Sequence, residues 1–189
     1  MRLERSFYTR ADVVQIAKDL LGKVICTQKD GVLTSGMITE TEAYSGRNDK
    51  ACHANNDRRT TRTEIMYGNG GHAYVYLCYG MHYLTNVVTN RNGLADAVLI
   101  RSVHPIDGKG IMVMRRNSSK NIADGPGKLS QALGIDKSHY GADLLRNSIW
   151  IEERGFHIPP GRIKVSQRIG VGYAMEDAEK EWRFYLENK

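Results

Sequence analysis

The chain has 189 residues, of which 41% are hydrophobic and 25% are charged. These proportions are those of an ordinary globular domain, so they exclude a collagen-like chain, a disordered tail and a disulfide-dense miniprotein. Lysine and arginine number 27 against 21 acidic residues, which gives a formal net charge of +6. A basic excess of this size indicates a polyanionic partner only where the charge is clustered, as it is in Asp57-Arg58-Arg59-Thr60-Thr61-Arg62.

Neither a membrane segment nor a secretory signal is expected. Apolar runs stay well short of the roughly 18 residues that a membrane helix needs, and the opening Met-Arg-Leu-Glu-Arg lacks an apolar signal region. The three cysteines, Cys26, Cys52 and Cys78, are odd in number and widely spaced, which favours reduced thiols. We therefore expect a protein that stays in the reducing compartment where it is made.

The hydrophobic patterns predict strands that are grouped rather than alternating with helices. An amphipathic helix over residues 13–21 follows a segment, Thr9 to Asp12, that resembles a capping box. The other predicted elements are strands over residues 23–28, 32–44, 73–79, 83–90, 95–103, 149–153 and 162–170, and helices over 106–116 and 127–133. Grouped strands favour an α+β fold. We expect a single compact domain over residues 1–189, with a curved, mostly antiparallel sheet flanked by helices and a protruding β-hairpin.

Two acids lie close together on the second predicted strand. Glu40 and Glu42 are two residues apart, so their side chains leave the same face. Two carboxylates so close resist ionising together, which suits a general base, or they bind a divalent metal. A solvated strand face that carries two acids is the ordinary alternative. The pair lies where an apolar strand stops, and Tyr44 follows on the same face, which favours a role in activating water.

Tyr79 falls at the tip of the hairpin predicted between two aromatic strands. A large ring flanked by glycine and methionine at such a tip is expected to be exposed. Proteins that kink DNA insert such side chains between base steps, and enzymes that act on a base take it out of the stack. A pocket formed by Tyr44, His53 and Tyr76 would receive that base.

Motifs for a metal or a nucleotide cofactor are weak in this sequence. His53 adjoins a cysteine, but no second Cys/His pair stands at the spacing of zinc ligands. Gly68-Asn69-Gly70-Gly71 lacks the Lys-Ser/Thr of a Walker A loop. Gly125-Pro126-Gly127-Lys128 offers amides and a lysine at a predicted helix start, where a phosphate could bind, although an ordinary helix N-terminus accounts for it equally well.

Four segments in combination resemble the alkyladenine (3-methyladenine) DNA glycosylase family. They are Glu40-Thr41-Glu42-Ala43-Tyr44, Tyr74-Val75-Tyr76 with Tyr79-Gly80-Met81, Gly125-Pro126-Gly127-Lys128-Leu129, and Arg168-Ile169-Gly170-Val171. The resemblance covers essentially the whole chain, residues 3–186. It implies a single α+β domain that flips damaged purines out of duplex DNA and hydrolyses the N-glycosidic bond. It also implies base excision repair without a metal or other cofactor, and a product that is an abasic site.

The resemblance implies a role for each of three residues in the chemistry. Glu42 matches the general base that deprotonates the water attacking the sugar C1′. Arg101, and the main-chain carbonyl of Ile169, match the groups that hold that water. An oxocarbenium-like transition state would also gain from the nearby carboxylate, so this assignment agrees with the physical interpretation of the acid pair.

The resemblance also implies which residues contact DNA. The family's base pocket is matched by Tyr44, His53, Tyr76 and Asn86, and the asparagine crowds the purine 2-position, which disfavours normal guanine. Tyr79 matches the intercalating tyrosine, with Met81 beside it in the groove. Charge and loop position separately indicate phosphate contacts from Arg58, Arg59, Arg62 and Lys128.

Two rival functions remain open at this point. A metal-dependent nuclease would use Glu40 and Glu42 as magnesium ligands, and chelator would abolish its activity. A binding module without activity, similar to the domain that binds tRNA in formyltransferases, would be indifferent to Glu42→Gln. Neither accounts for the pocket, the tip tyrosine and the acid together. We expect a monomer that acts on double-stranded DNA with alkylated or deaminated purines, hypoxanthine among them, in a bacterial cytoplasm.

Overall fold

The computed structural model describes residues 1–187, and a curved eight-stranded sheet forms its centre. The strands are β1 (Val24–Lys29), β2 (Val32–Tyr44), β3 (Ala73–Cys78), β4 (His82–Thr89), β5 (Asp96–Pro105), β6 (Ile149–Glu152), β7 (Ile163–Ser166) and β8 (Arg183–Leu186). Their order is β3-β4-β5-β2-β1-β6, and β8 pairs with both β2 and β7. The long strand β2 therefore has β5 along one edge, and β1 followed by β8 along the other.

Helices cover one face of the sheet and close the main core. They are α1 (Arg5–Tyr8), α2 (Val13–Asp19), α3 (Lys109–Arg116) and α4 (Pro126–Leu133). The buried side chains that join α2 and α4 to the central strands include Ile16, Ala17, Leu20, Ile25, Ile38, Val98, Ile100, Leu129 and Leu133. Among the helices within residues 1–187, none is long and apolar enough to cross a membrane.

The α+β fold expected from the sequence is confirmed, and most element boundaries agree within a few residues. The first helix differs at its start, because the cap is Asp12, whose carboxylate accepts a hydrogen bond from the Gln15 N–H at 2.9 Å, rather than Thr9. The strand expected over residues 162–170 ends at Ser166. The polar stretch over residues 52–71 contains two short 3-10 helices, Asn55–Asp57 and Glu64–Tyr67.

The ladder between β2 and β5 is irregular beside Glu40. The pairs around this point are Ile38 with Val103, Glu40 with Ser102, and Thr41 with Ile100. One residue on each strand, Thr39 on β2 and Arg101 on β5, therefore has no direct partner across the ladder. Irregularities of this kind often lie beside functional sites, where they redirect a side chain.

Candidate active site

A cleft of about 730 Å³ opens between the end of β2, the β3–β4 hairpin and the start of α4. Of the predicted catalytic, base-binding and DNA-binding residues, those that line it are Tyr44, His53, Arg62, Tyr76, Tyr79, Asn86, Arg101, Lys128 and Ile169. Arg58, Arg59 and Met81 lie outside the lining. Glu42 is fully buried directly behind Tyr44 and Arg101.

Both oxygens of the Glu42 carboxylate have hydrogen-bond donors. The main-chain N–H of Ile169 donates to Oε1 at 2.8 Å. The Tyr44 hydroxyl donates to Oε2 at 2.7 Å, and Nη1 of Arg101 donates to the same oxygen at 3.3 Å. Hydrogen bonds to a charged acceptor are the strong ones, so these contacts fix the carboxylate at the floor of the cleft.

Tyr44 is held from behind by a buried ion pair. Nη1 and Nη2 of Arg168 donate to the two carboxylate oxygens of Asp49 at 2.5 and 2.8 Å, and both side chains are completely buried. The guanidinium carbon of Arg168 lies 4.8 Å from the centre of the Tyr44 ring. Burial and the neighbouring Glu42 carboxylate raise the pKa of the Tyr44 hydroxyl well above its ordinary value. The hydroxyl therefore stays protonated and acts as a donor.

His53 is neutral at physiological pH. Burial and the positive charges of Arg62 and Arg58 lower the pKa of its imidazole to about 4. Its Nδ1 shares a 2.8 Å hydrogen bond with the hydroxyl of Tyr74, a residue of the Tyr74-Val75-Tyr76 motif to which no role was assigned from the sequence. An uncharged ring at this position can lie beside a cationic ligand without repulsion.

Arg62 is exposed to solvent, and its guanidinium reaches over the cleft. Its guanidinium carbon is 4.4 Å from the centre of the Tyr76 ring, and its Nε donates to the Tyr74 hydroxyl at 3.1 Å. The rings of His53 and Tyr76 meet edge to face, with centroids 4.9 Å apart. A base held between two parallel rings needs them about 7 Å apart, because each contact takes about 3.5 Å. In this conformation Arg62 therefore covers Tyr76, and the two rings leave no slot between them.

Asn86 closes one side of the cleft from β4. Its side-chain Nδ2 donates to the main-chain oxygen of Tyr74 at 3.0 Å, and the residue is buried. This bond fixes the orientation of the amide, so Asn86 presents a defined shape to anything in the cleft.

Tyr79 occupies the hairpin tip and points away from the protein. Its side chain is 90% exposed, and that of Met81 is 70% exposed. Tyr79 and Gly80 have φ of +50° and +70°, and the Met81 N–H donates to the Cys78 oxygen at 3.2 Å. Positive φ at both central residues is the pattern of the tight turn that matches the twist of a hairpin. A tyrosine in that conformation is strained relative to glycine or asparagine.

The predicted phosphate contacts are in different situations. Arg59 is engaged by Glu64 through two hydrogen bonds of 2.6 and 2.8 Å, whereas Arg58 is exposed. Lys128 lines the cleft at the start of α4. The contacts that sequence reasoning missed are the Ile169 N–H, the Tyr74 hydroxyl and the Arg168–Asp49 pair, although Tyr74, Arg168 and Ile169 belong to motifs that carry the resemblance.

Comparisons with known proteins identify the family of this chain. A family model described as methylpurine-DNA glycosylase (MPG) matches residues 6–189. Relatives named provisionally as 3-methyladenine DNA glycosylases include one from Chlamydia abortus, 47% identical over 99% of both chains, and one from Alkaliphilus oremlandii, 42% identical over 100% of this chain and 96% of its own. A third, from Chlamydia pneumoniae, is 43% identical over 97% and 94%. The chain therefore belongs to the methylpurine-DNA glycosylase family and is a hydrolase of N-glycosidic bonds in DNA.

Proposed function

We propose that this protein flips alkylated or deaminated purines, hypoxanthine among them, out of duplex DNA and hydrolyses their N-glycosidic bond, so that an abasic site remains. One observation carries the proposal most directly. A buried carboxylate, Glu42, is held by three donors at the floor of an aromatic cleft, beside an exposed hairpin-tip tyrosine. We further propose that residues 1–189 act as one glycosylase domain and as a monomer, without a cofactor.

In this proposal Glu42 is the general base. It takes a proton from the water that attacks C1′, while the guanidinium of Arg101 and the main-chain carbonyl of Ile169 hold that water. As the bond to the purine breaks, positive charge develops on the sugar, and a carboxylate in a site of low dielectric stabilises it. The Ile169 N–H donates a hydrogen bond to Oε1 of Glu42 and keeps the carboxylate in place during this step.

The base would lie against Tyr44 and Tyr76, with His53 at its edge. Alkylation at N3 or N7 makes a purine cationic, and a cationic ring is attracted to the faces of tyrosines. The lowered pKa of His53 keeps that ring neutral, which avoids repulsion of such a base. Asn86 would crowd the 2-amino group of guanine. Hypoxanthine lacks that group, so the same pocket would admit it.

The hairpin tip and the basic loop would hold the DNA. Tyr79 would fill the gap left by the flipped nucleotide, and Met81 would lie beside it in the groove. Phosphate contacts would come from Arg58, Arg59, Arg62 and Lys128. Arg59 would exchange Glu64 for a phosphate, and Arg62 would leave Tyr76 before the base arrives.

The nuclease alternative receives less support from the donor set. Glu40 accepts hydrogen bonds from two arginines, and Glu42 accepts three hydrogen bonds. A magnesium ion prefers carboxylate oxygens and water, so it would have to displace these donors before it could use either acid.

Excision from a defined duplex tests the proposal. The substrate is a labelled duplex with one hypoxanthine or one ethenoadenine, in excess EDTA, and the proteins are the native chain and Glu42→Gln. We expect release of the free base, followed by strand cleavage that depends on alkali, and loss of release in the variant. Binding to the lesion duplex and thermal unfolding show that the variant is folded. Absence of release from these or from methylated DNA, or cleavage that EDTA stops, would contradict the proposal.

A further inference from the structure

Arg101 is held by two glutamates of β2. Its Nε donates to Oε1 of Glu40 at 2.9 Å, and its Nη1 donates to Oε2 of Glu42 at 3.3 Å. The same Glu40 oxygen accepts a hydrogen bond from Nε of Arg183 at 2.6 Å. Arg183 stands directly across from Glu42 in the β2–β8 ladder. Four charges of alternating sign, Arg183, Glu40, Arg101 and Glu42, therefore form a continuous chain.

Glu40 fixes the direction of Arg101 and lies against its positive charge. A guanidinium is planar, so contacts at Nε and at Nη1 together fix its plane and leave its remaining N–H groups aimed into the cleft. The side chains of Glu40 and Arg101 are 14% and 11% exposed, so water screens the pair weakly. Neither Glu40 nor Glu42 belongs to the cleft lining within residues 1–187. The described hydrogen-bond donors to the Glu40 side chain are Arg101, which lines the cleft, and Arg183, which does not, so the path from Glu40 to the cleft runs through Arg101.

We infer that Glu40 is a positioning residue for the glycosylase reaction: it aims Arg101 at the water beside Glu42 and balances the charge that Arg101 directs at that carboxylate. This inference rests on the proposed function. Glu40 and Arg183 carry opposite charges and together add no net charge. The net charge around Glu42 is therefore the same as that of the Arg101–Glu42 pair alone.

Replacement of Glu40 by glutamine tests the inference, because the shape is kept and the charge is lost. We expect the single-turnover excision rate of Glu40→Gln to fall by about tenfold to a hundredfold, since a small misplacement of a reacting group costs up to that much. The dissociation constant for the lesion duplex should stay near the native value. A rate loss without an affinity loss locates the effect in the chemical step.

The pH dependence provides a readout that a merely structural role would not move. The charged and titratable groups that face Glu42 are Arg101 from β5, Arg183 from β8, Tyr44 from β2 and Arg168 from the segment after β7. Glu40→Gln leaves an excess of positive charge there, which favours the ionised carboxylate, so the acidic limb of the rate profile moves to lower pH. Arg183→Gln leaves an excess of negative charge, so the same limb moves to higher pH.

A matched control and two outcomes complete the experiment. Glu152 on β6 accepts a hydrogen bond from Nε of Arg154 at 2.6 Å and is 19% exposed, so Glu152→Gln makes the same change far from the cleft and should leave rate and profile native.

Native rates and unshifted profiles in folded Glu40→Gln and Arg183→Gln would overturn the inference. If the first variant fails to fold, Glu40→Asp and Arg183→Gln decide the question, the aspartate variant being expected to keep a native profile. Absence of base release by the native protein, or full activity of Glu42→Gln, would instead contradict the proposed function.

Discussion

The Tyr44 hydroxyl donates a 2.7 Å hydrogen bond to Oε2 of Glu42, so a ring of the aromatic cleft and the buried carboxylate form one unit. One face of the Tyr44 ring lies against the guanidinium of Arg168, and Arg168 is held by hydrogen bonds to Asp49. A base stacked on Tyr44 would therefore be placed relative to Glu42 by a single side chain, and recognition and chemistry would share one structural support.

Tyr44→Phe should separate these two roles. The ring and its contact with Arg168 are kept, but Oε2 of Glu42 loses its shortest donor. We expect the single-turnover excision rate to fall by about tenfold, whereas binding of the lesion duplex changes little. Tyr44→Leu should lose both rate and affinity. Equal affinity losses in the two variants would show that the hydroxyl serves binding instead.

Tyr79→Asn should make the protein more stable and less active. The asparagine tolerates the positive φ that strains the tyrosine, and the exposed ring gives up no packing, so the free energy of unfolding should rise by about 1 kcal/mol. Excision should fall by about tenfold or more, because an inserted aromatic ring contributes stacking energy to the DNA complex. Urea unfolding and single-turnover assays measure the two effects. A Tyr79→Asn variant that gains stability and keeps native activity would contradict the proposed insertion of Tyr79 into DNA.

His53 should make stability sensitive to acid. Its pKa is about 4 in the folded protein against an ordinary value of 6.5, so between these pH values the unfolded chain binds a proton that the folded protein does not. Stability from this group is complete above pH 6.5 and falls as the pH approaches 4. The loss amounts to up to about 3 kcal/mol, since one pKa unit corresponds to about 1.4 kcal/mol.

Urea unfolding at two pH values tests this prediction. Between pH 7 and about pH 4.5, His53→Gln should lose less stability than the native protein, because the glutamine does not titrate. Replacement of His157, which is exposed and lies outside the cleft, should leave the native acid sensitivity unchanged. Parallel losses in the native and His53→Gln proteins would be inconsistent with a buried neutral imidazole.

Arg62→Ala should affect free base and duplex in opposite directions. Removal of the guanidinium uncovers Tyr76, so free 3-methyladenine should inhibit about threefold to tenfold more strongly, the usual energy of a cation–π contact. Duplex binding should weaken, and its salt dependence should decrease by about one counterion. Arg58→Ala, which changes an exposed arginine outside the cleft, should weaken duplex binding alone. Unchanged inhibition by the free base would show that Arg62 does not compete for the ring.

Asp49→Asn should destabilise the protein strongly. The substitution leaves Arg168 as a fully buried charge without its partner, and breaking such a pair costs about 3–5 kcal/mol. Denaturant unfolding measures the loss. Glu64→Gln breaks the exposed pair with Arg59 and should leave the unfolding free energy near the native value. A loss of similar size in both variants would contradict the importance of burial.

Local sequence patterns were sufficient for β1 to β7 and for the tip of the hairpin, whereas β8 (Arg183–Leu186) was not predicted. Alternation and turn residues predict β2 and the turn at Lys29-Asp30-Gly31, because those signals lie within a few residues. The exposed position of Tyr79 follows from its place between two strands. The addition of Arg101 to the pocket of Tyr44 and Tyr76 depended on the family resemblance, since the three residues lie on different strands.

Contacts between distant segments could not be predicted in this way. Asp49 and Arg168 are 119 positions apart, and their pairing follows from how the segment after β7 packs against the end of β2. The place of Arg62 over Tyr76 likewise depends on the path of the polar loop, for which charge and loop position indicated a phosphate contact. Side-chain partners at such separations depend on the whole fold.

The irregular ladder beside Glu40 decides on which side of the sheet the chemistry takes place. Ile38 belongs to the main core, so strict alternation along β2 would turn Glu40 and Glu42 into that core as well. Instead Thr41 faces the core, where its hydroxyl donates to the Ala17 oxygen at 2.8 Å. Because Thr39 on β2 and Arg101 on β5 are both unpaired, each strand has one extra residue here, and the two strands pair in their original register from Thr41 onward. A regular ladder that kept Thr39 in the alternation would turn both acids into the core, so a residue with no part in the reaction determines whether the acids can reach it.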